Sequence, residues 1–426
     1  MRTDISAELR QLPEVQLSES ILRNCVHCGF CNATCPTYLL TGNELEGPRG
    51  RIYLMKSVLE ERIEPSLATL SHIDNCLGCL ACETTCPSGV RYSTLLEDAR
   101  PRLEALGLRP WWQRLQRRLL TTILPHPGRL RLSLALSRIG RLLPALVPRT
   151  MHHLLSMAPR QLPTPARVAL PGTHPAEGGQ RIRVLLLTGC AQQVLGAAIN
   201  DATVRLLTRL GAQVTIPEAE ICCGSLTYHM GERRKSRRLM ATTLRRWHRV
   251  IAEGTDYIVS TTSGCSTTIA DYVHIFAEDP ELAPMAEAVC ARLRDVSQTI
   301  AELGLPEGAS APERLRIAYH DACSLQHGLH VREQPRSLLS DIGFGVEEIA
   351  ESHICCGSAG TYNLLNPEMA SQLQARKVEH IRRQQPDLVA AGNIGCIEQI
   401  GGAISTPVVH TVQLLDWATG GPDPRH

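Results

Sequence analysis

Residues 181–190 read RIRVLLLTGC, and residues 314–323 read RLRIAYHDAC. Each is an apolar run that ends in a cysteine. The offset from Cys190 to Cys323 also carries EICCGS (220–225) onto HICCGS (353–358). Near the same offset, DYIVSTTSGC (256–265) meets DLVAAGNIGC (387–396). Between these landmarks lie helical patterns, INDATVRLLTRLG and REQPRSLLSDIG. After each Cys-Cys-Gly comes a long basic one, ERRKSRRLMATTLRRWHRVIAE and PEMASQLQARKVEHIRRQ. Strand–helix–strand–helix–strand, written twice, predicts two α/β units with parallel pairing. Strands that end at cysteines gather the thiols at strand C-terminal ends, where α/β sheets bind ligands.

The N-terminal part repeats a different unit. CVHCGFCNATCP runs from Cys25 to Pro36, and CLGCLACETTCP runs from Cys76 to Pro87. Both follow C-x2-C-x2-C-x3-C-P. Three evenly stepped thiolates reach different corners of one iron–sulfur cube, and the fourth points away. In two-cluster ferredoxins that fourth cysteine ligates the other cluster. The spacing therefore predicts two [4Fe–4S] clusters. Cys25, Cys28, Cys31 and Cys86 hold one, and Cys76, Cys79, Cys82 and Cys35 hold the other. Closed zinc sites more often use two cysteine pairs. In the connecting GPRGRIYLMK, Arg49 and Arg51 read either as cations that raise a cluster potential or as a turn before a helix.

The Cys-Cys-Gly repeats predict a second class of metal site. Cys190, Cys222, Cys223 and Cys265 form one set, and Cys323, Cys355, Cys356 and Cys396 form the other. Adjacent cysteines seldom bridge to each other. Free thiols often lie in cores, but four matched positions in two copies favour ligation. The choice between a further iron–sulfur cluster and zinc stays open. Cys290 has no counterpart and is read as an inert core thiol. His229, His320, His327, His330 and His353 lie near these cysteines in sequence. A lone histidine is most often a packed residue, and none is assigned as a ligand.

Composition limits the remaining classes. The chain has 426 residues, 17 cysteines, a net charge of +2 and 4% aromatics. Nucleic-acid binding is not expected, because neither a basic excess nor stacking platforms are present. The first residues, MRTDISAELRQLPE, hold no apolar signal region, and no run of eighteen apolar residues occurs. A reducing, cytoplasmic compartment is expected, where clustered cysteines bind metals. Residues 105–176 hold eleven arginines and neither Asp nor Glu, interleaved with leucines and headed by Trp111-Trp112. That pattern reads as a membrane-surface face, or as a linker packed on other subunits or on itself. No G-x-G-x-x-G fingerprint, Walker loop or acid–base pair is found, so no catalytic residue is assigned. The chain is therefore expected to carry electrons for a partner that does the two-electron step.

The chain divides into four expected parts. Residues 1–104 form a small helical two-cluster ferredoxin-type domain, and 105–180 form the basic helical region. Residues 181–305 and 306–426 form the two Cys-Cys-Gly α/β domains.

The paired runs, the GPRGRI link and the two Cys-Cys-Gly domains resemble the iron–sulfur subunits of bacterial glycolate oxidase. The resemblance covers nearly the whole chain. It implies flavin-containing partner subunits that oxidise glycolate to glyoxylate, and electron transfer toward a membrane quinone. It also implies a peripheral position on the cytoplasmic side of the inner membrane. The wider group includes iron–sulfur subunits for (R)-lactate and glycerol-3-phosphate oxidation. It also includes the Cys-Cys-Gly component of heterodisulfide reductase, a likeness that would make the chain a catalytic subunit. Heterodisulfide-reductase-type domains end each half in Cys-x-x-Cys. Here Thr262 and Asn393 stand where the first cysteine of that pair belongs, so neither half has a fifth thiolate.

Overall fold

The computed structural model describes residues 1–142, 155, 157–159, 162–218 and 222–425. Part of the basic region, and Glu220 and Ile221 before the first Cys-Cys pair, lie outside the described residues.

The N-terminal part is helical. Its main helices are α1 (Pro13–Asn24), α2 (Pro36–Thr41), α3 (Pro48–Leu59), α4 (Leu67–Asp74) and α5 (Tyr92–Ala105). Prolines Pro13, Pro36 and Pro48 each open a helix, where the missing N–H costs no bond. The GPRG link is thus the start of α3. Val15, Leu22, Ile52, Leu70 and Leu96 are buried together and fasten these helices around the two cysteine loops. Burial of side chains this size stabilises by about 1.5–3 kcal/mol each.

Two further helices, α6 (Trp111–Ile123) and α7 (Pro127–Leu142), follow. One face of α6 packs inward, with Arg117 donating to the Met230 carbonyl at 2.9 Å. The other face leaves Trp111, Trp112, Leu115 and Leu119 exposed, and α7 continues it with Leu132, Leu136 and Ile139.

The rest is two similar parallel sheets. The first orders its strands β1 (Gly172–His174), β3 (Ala212–Ile216), β2 (Ile182–Leu187), β4 (Tyr257–Ser260) and β5 (Leu293–Asp295). Only β1 runs antiparallel, on the edge. The second orders β7 (Gly345–Glu348), β6 (Arg316–His320), β8 (Leu388–Ala391) and β9 (Val408–His410), all parallel. The first repeat carries helices α8 (Ala197–Arg209), α9 (Arg233–Ala252), α10 (Ser263–Ala270) and α11 (Val296–Leu303). The second carries α12 (Glu333–Asp341), α13 (Pro367–Gln384), α14 (Ile394–Gly401) and α15 (Thr411–Ala418).

Strand alternation divides the core. Val184 and Leu186 of β2, with Ile317 and Tyr319 of β6, point into one core that both repeats share. Leu185 and Leu187 point the other way, into the cluster that holds Cys222 and Cys223. Ala318 points into the cluster that holds Cys356 and Cys396. Each repeat therefore keeps its thiols on its outer face. Polar links also cross between the repeats. Arg205 reaches the buried Asp416 at 2.6 Å. His410 Nε2 lies 3.0 Å from the Thr261 carbonyl.

Candidate metal centres

The two N-terminal loops have one backbone shape. His27 and Gly29 adopt positive φ in the first, and Gly78 and Leu80 do so at the matching places in the second. Such residues turn successive N–H groups inward, a concavity that suits an anionic group. A non-glycine residue held there costs energy, and such strain gathers at functional sites. Gly29 has a second reason to be glycine: a Cβ there would collide with the Arg49 guanidinium.

The loops line two neighbouring hollows, both partly open to solvent. One, of about 430 Å³, is lined by Cys25, Cys28, Cys31 and Cys86. The other, of about 720 Å³, is lined by Cys35, Cys76, Cys79 and Cys82. Cys82 and Tyr92 line both. Burial pushes the Cys31 thiol up to about 11, and Cys25, Cys86 and Cys28 add to the shift. Burial also raises Cys82 well above the usual thiol range, with Cys79, Cys76 and Cys35 among its neighbours. Thiols raised by burial and mutual repulsion are the groups a bound cationic centre converts to thiolates. The fourth cysteine of each run thus stands with the first three of the other. Backbone amides meet the sulfurs: Gly78 N lies 3.4 Å from Cys76 Sγ, and Val90 N lies 3.5 Å from Cys86 Sγ.

Both arginines of the link face these hollows. Arg51 is fully buried, paired with Glu46 at 2.7 Å and 4.0 Å from Cys35 Sγ. Arg49 pairs with Glu44 at 2.6 Å. Glu46 also meets His72 Nδ1 at 2.6 Å. GPRGR thus opens α3, and both of its arginines lie beside the cysteine hollows.

The Cys-Cys-Gly cysteines also come together in each repeat. β2 ends at Leu187 and β6 at His320, three residues before their cysteines, so the thiols lie on turns just past the strands. Cys190 Sγ lies 3.5 Å from Cys222 Sγ, and contact runs on through Cys223 to Cys265. Cys323 Sγ lies 3.8 Å from Cys355 Sγ, and contact runs on through Cys356 to Cys396. Cys265 and Cys396 each sit in the first turn of a helix, α10 and α14. Positive φ at Gly224 and Gly357 lets α9 and α13 pack closely, since a Cβ would meet Met240 Cγ at 2.7 Å and the Ala370 carbonyl at 2.6 Å. Cys290 lies apart and donates to the Ile269 carbonyl at 3.0 Å.

Three residues beside the second set carry a signal that the cysteine pattern does not. His320 is buried, and neither ring nitrogen has a hydrogen-bond partner among the described residues. Burial, with Lys377 nearby, pushes its imidazole down to about 3, so the ring is neutral. Lys377 is buried too, donates to the Glu351 carbonyl at 2.7 Å, and lies near Cys356 and Cys355. Tyr362, whose hydroxyl is buried and unpartnered among the described residues, feels both Cys76 and Cys355. The offset from Cys190 to Cys323 carries Leu187 onto His320 and Leu244 onto Lys377. That mismatch between repeats was the available sequence signal. Two of the other histidines have ordinary partners: His229 meets Glu97 at 2.8 Å, and His327 meets Thr84 at 2.9 Å.

The second N-terminal hollow abuts the second repeat. Cys79 feels Cys323 most strongly after burial, and Cys355 feels Cys79. The contact is close. A Cβ on Gly328 would collide with Thr267 Cγ2 of the first repeat and meet Leu80 Cδ1 of the cysteine loop at 3.2 Å. On the first repeat's side, His126 lies in electrostatic reach of Cys222.

Known protein families match three stretches of the chain. Residues 21–90 match the 4Fe-4S dicluster domain, and residues 184–270 and 317–401 match the Cysteine-rich domain. The glycolate oxidase iron-sulfur subunit of Escherichia coli (strain K12) is 37% identical over 98% of this chain and 99% of its own length. The probable glycolate oxidase iron-sulfur subunit of Bacillus subtilis (strain 168) is 32% identical over 95% of this chain and 96% of its own. Lactate utilization protein A of Geobacillus kaustophilus (strain HTA426) is 28% identical over 55% of this chain and 99% of its own.

Proposed function

The chain belongs to the family of glycolate oxidase iron–sulfur subunits, and on that premise we propose how its own residues serve electron transfer between a flavin-bearing partner and a quinone. The reading makes it the non-catalytic electron carrier of a complex that oxidises glycolate to glyoxylate. Cys25, Cys28, Cys31 and Cys86 hold one [4Fe–4S] cluster, and Cys76, Cys79, Cys82 and Cys35 hold the second. When bound, such clusters supply one-electron storage and transfer. The four-part division at residues 104, 180 and 305 belongs to the same reading, as does metal binding by the two Cys-Cys-Gly sets.

The carrying observation is the crossing of the two runs, with Cys79 set against Cys323 and Cys355. The protein's own part is electrostatic. The buried Arg51 beside Cys35 favours added negative charge there, and the amides at Cys76 and Cys86 do the same. Val26 and Phe30, exposed beside the exposed Cys28, offer the apolar contact for the flavin-bearing subunit. The exposed face of α6 and α7 sets tryptophans and leucines among arginines, a composition that suits an anionic membrane surface near a quinone. No described helix is long and apolar enough to cross a membrane.

The test is reduction by substrate. The anaerobic chain is mixed with flavin subunits of a glycolate-oxidising complex, and glycolate is added. Bleaching of the visible iron–sulfur absorbance is expected, and it should fail in Cys28→Ser. Bleaching by (R)-lactate alone would assign a different substrate. Equal bleaching in Cys28→Ser would refute the scheme.

A further inference from the structure

We propose that the second repeat binds one divalent ion of the zinc class, using a ring nitrogen of His320 together with Cys356 and Cys396. The proposal rests on the reading above that the Cys-Cys-Gly cysteines bind metal. It adds a ligand, a geometry and a difference between the repeats.

The donor atoms of His320, Cys356 and Cys396 all lie within 4.8 Å of one another, and all three residues are buried. Tetrahedral zinc, with ligand bonds of about 2.0–2.3 Å, places its donors roughly 3.3–3.8 Å apart. A modest closing of the trio reaches that range. Thiolates on different irons of a four-iron cube stand farther apart, so the trio fits a single ion better. Cys355 adjoins Cys356 and is the nearest further sulfur that the chain offers as a fourth ligand.

His320 is otherwise hard to explain. It ends β6 on the face that carries the thiols, and neither of its nitrogens has a partner among the described residues. A buried polar group without a partner is costly, and native structures seldom leave one. An apolar side chain fills the same place in the first repeat, where Leu187 stands. The first repeat therefore lacks this nitrogen donor. A mixed nitrogen and sulfur set is the chemistry that zinc accepts.

The experiment uses the full chain, purified anaerobically with its N-terminal clusters. Zinc and iron are counted per chain, and the zinc shell is read by X-ray absorption. One zinc with one nitrogen and otherwise sulfur neighbours is expected, beside about eight irons from two four-iron clusters. Titration with Zn2+ against a chelator should show that His320→Ala weakens binding by about 100-fold or more, beyond the usual loss of an outer-shell partner. His320→Cys should retain the ion in an all-sulfur shell, which keeps the test informative where the alanine variant does not fold. Unchanged zinc affinity in His320→Ala, with zinc lost in Cys356→Ser, would overturn the histidine ligand alone. No zinc, with irons above eight, would overturn the single-ion geometry. No loss of any metal in Cys356→Ser would overturn the underlying reading instead.

Discussion

The two repeats share strand order, helix order and nearly the same spacing of four cysteines, yet they surround those cysteines with different material. In the first, Leu187 and Leu244 are buried in the cluster that holds the thiols. In the second, His320 and Lys377 occupy the matching places. The first repeat ends its sheet at Asp295 and the second at His410, and both residues form a capping box on the next helix. The second repeat meets the cysteine loop through Gly328, where the first has Leu195. A duplicated fold thus keeps its packing while its site chemistry diverges. Packing tolerates change only by volume and polarity, whereas chemistry at a ligand position changes with a single side chain.

Swapping the diverged residues should break the comparison most severely. Leu244→Lys places a cation in an apolar cluster with no matching partner, and should cost at least about 3 kcal/mol. The reverse change, Lys377→Leu, relieves a buried charge. It should leave the unfolding midpoint within about 1 kcal/mol of the parent while weakening metal retention in the second repeat by about tenfold. Urea denaturation with metal analysis of both variants checks this. Equal destabilisation by the two changes would show that the repeats do not differ here.

The junction offers the next effect. Gly328→Ala forces Thr267 or Leu80 to move, and overpacking of this kind costs about 1–3 kcal/mol. Leu195→Ala, at the matching place, should instead leave the signal of the reduced second cluster unchanged, as read by electron paramagnetic resonance.

The two caps should titrate in opposite directions. Burial raises Asp295 to about 6, so its folded state holds a proton that the unfolded chain has released. Its contribution therefore weakens stability as pH rises through about 6. Burial pushes His410 down to about 4, so the folded ring stays neutral while the unfolded one takes up a proton. Its contribution weakens stability as pH falls below the usual histidine range. The two oppose each other between about pH 4 and 6. His410→Asn keeps a good cap and should leave stability falling with rising pH, while Asp295→Asn should reverse the slope. Each should amount to about 2–3 kcal/mol across that window, at about 1.4 kcal/mol per pH unit. Parallel slopes in the two variants would contradict the assignment.

The smallest effect is at the positions that replace the fifth cysteine. Asn393 Nδ2 lies 3.7 Å from Cys396 Sγ, whereas Thr262 Oγ1 donates to Gln192 Oε1 at 2.9 Å. Asn393→Ala should shift the spectrum of metal bound in the second repeat and cost under about 1 kcal/mol. Thr262→Ala should leave that spectrum unmoved.

Much of this arrangement was legible in the sequence. Apolar runs with Cys-Cys-Gly between basic helices encode a doubly wound sheet, because strand and helix periods are local properties. The crossed cysteines were legible because an evenly stepped run of three leaves its fourth thiol pointing away. What sequence left unread came from packing. Nothing local says that Cys79 faces Cys323, since that contact needs the loop, α10 and the turn after Cys323 to meet at Gly328. Nor does a single histidine announce itself as a ligand. His320 stands out only once β6 turns it toward Cys356 and Cys396 and the partners of its nitrogens are sought. Arg51 was ambiguous for the same reason: one residue both belongs to the first turns of α3 and sits beside Cys35.

The central claim is that each N-terminal run lends its last cysteine to the other run's cluster. Electron paramagnetic resonance of the dithionite-reduced chain tests it most directly, on Cys28→Ser, Cys86→Ser, Cys79→Ser and Cys35→Ser purified anaerobically. The account predicts that Cys28→Ser and Cys86→Ser perturb one and the same cluster signal, and that Cys79→Ser and Cys35→Ser perturb the other. Loss of the same signal in Cys86→Ser and Cys79→Ser, with Cys28→Ser and Cys35→Ser sharing the second, would contradict it.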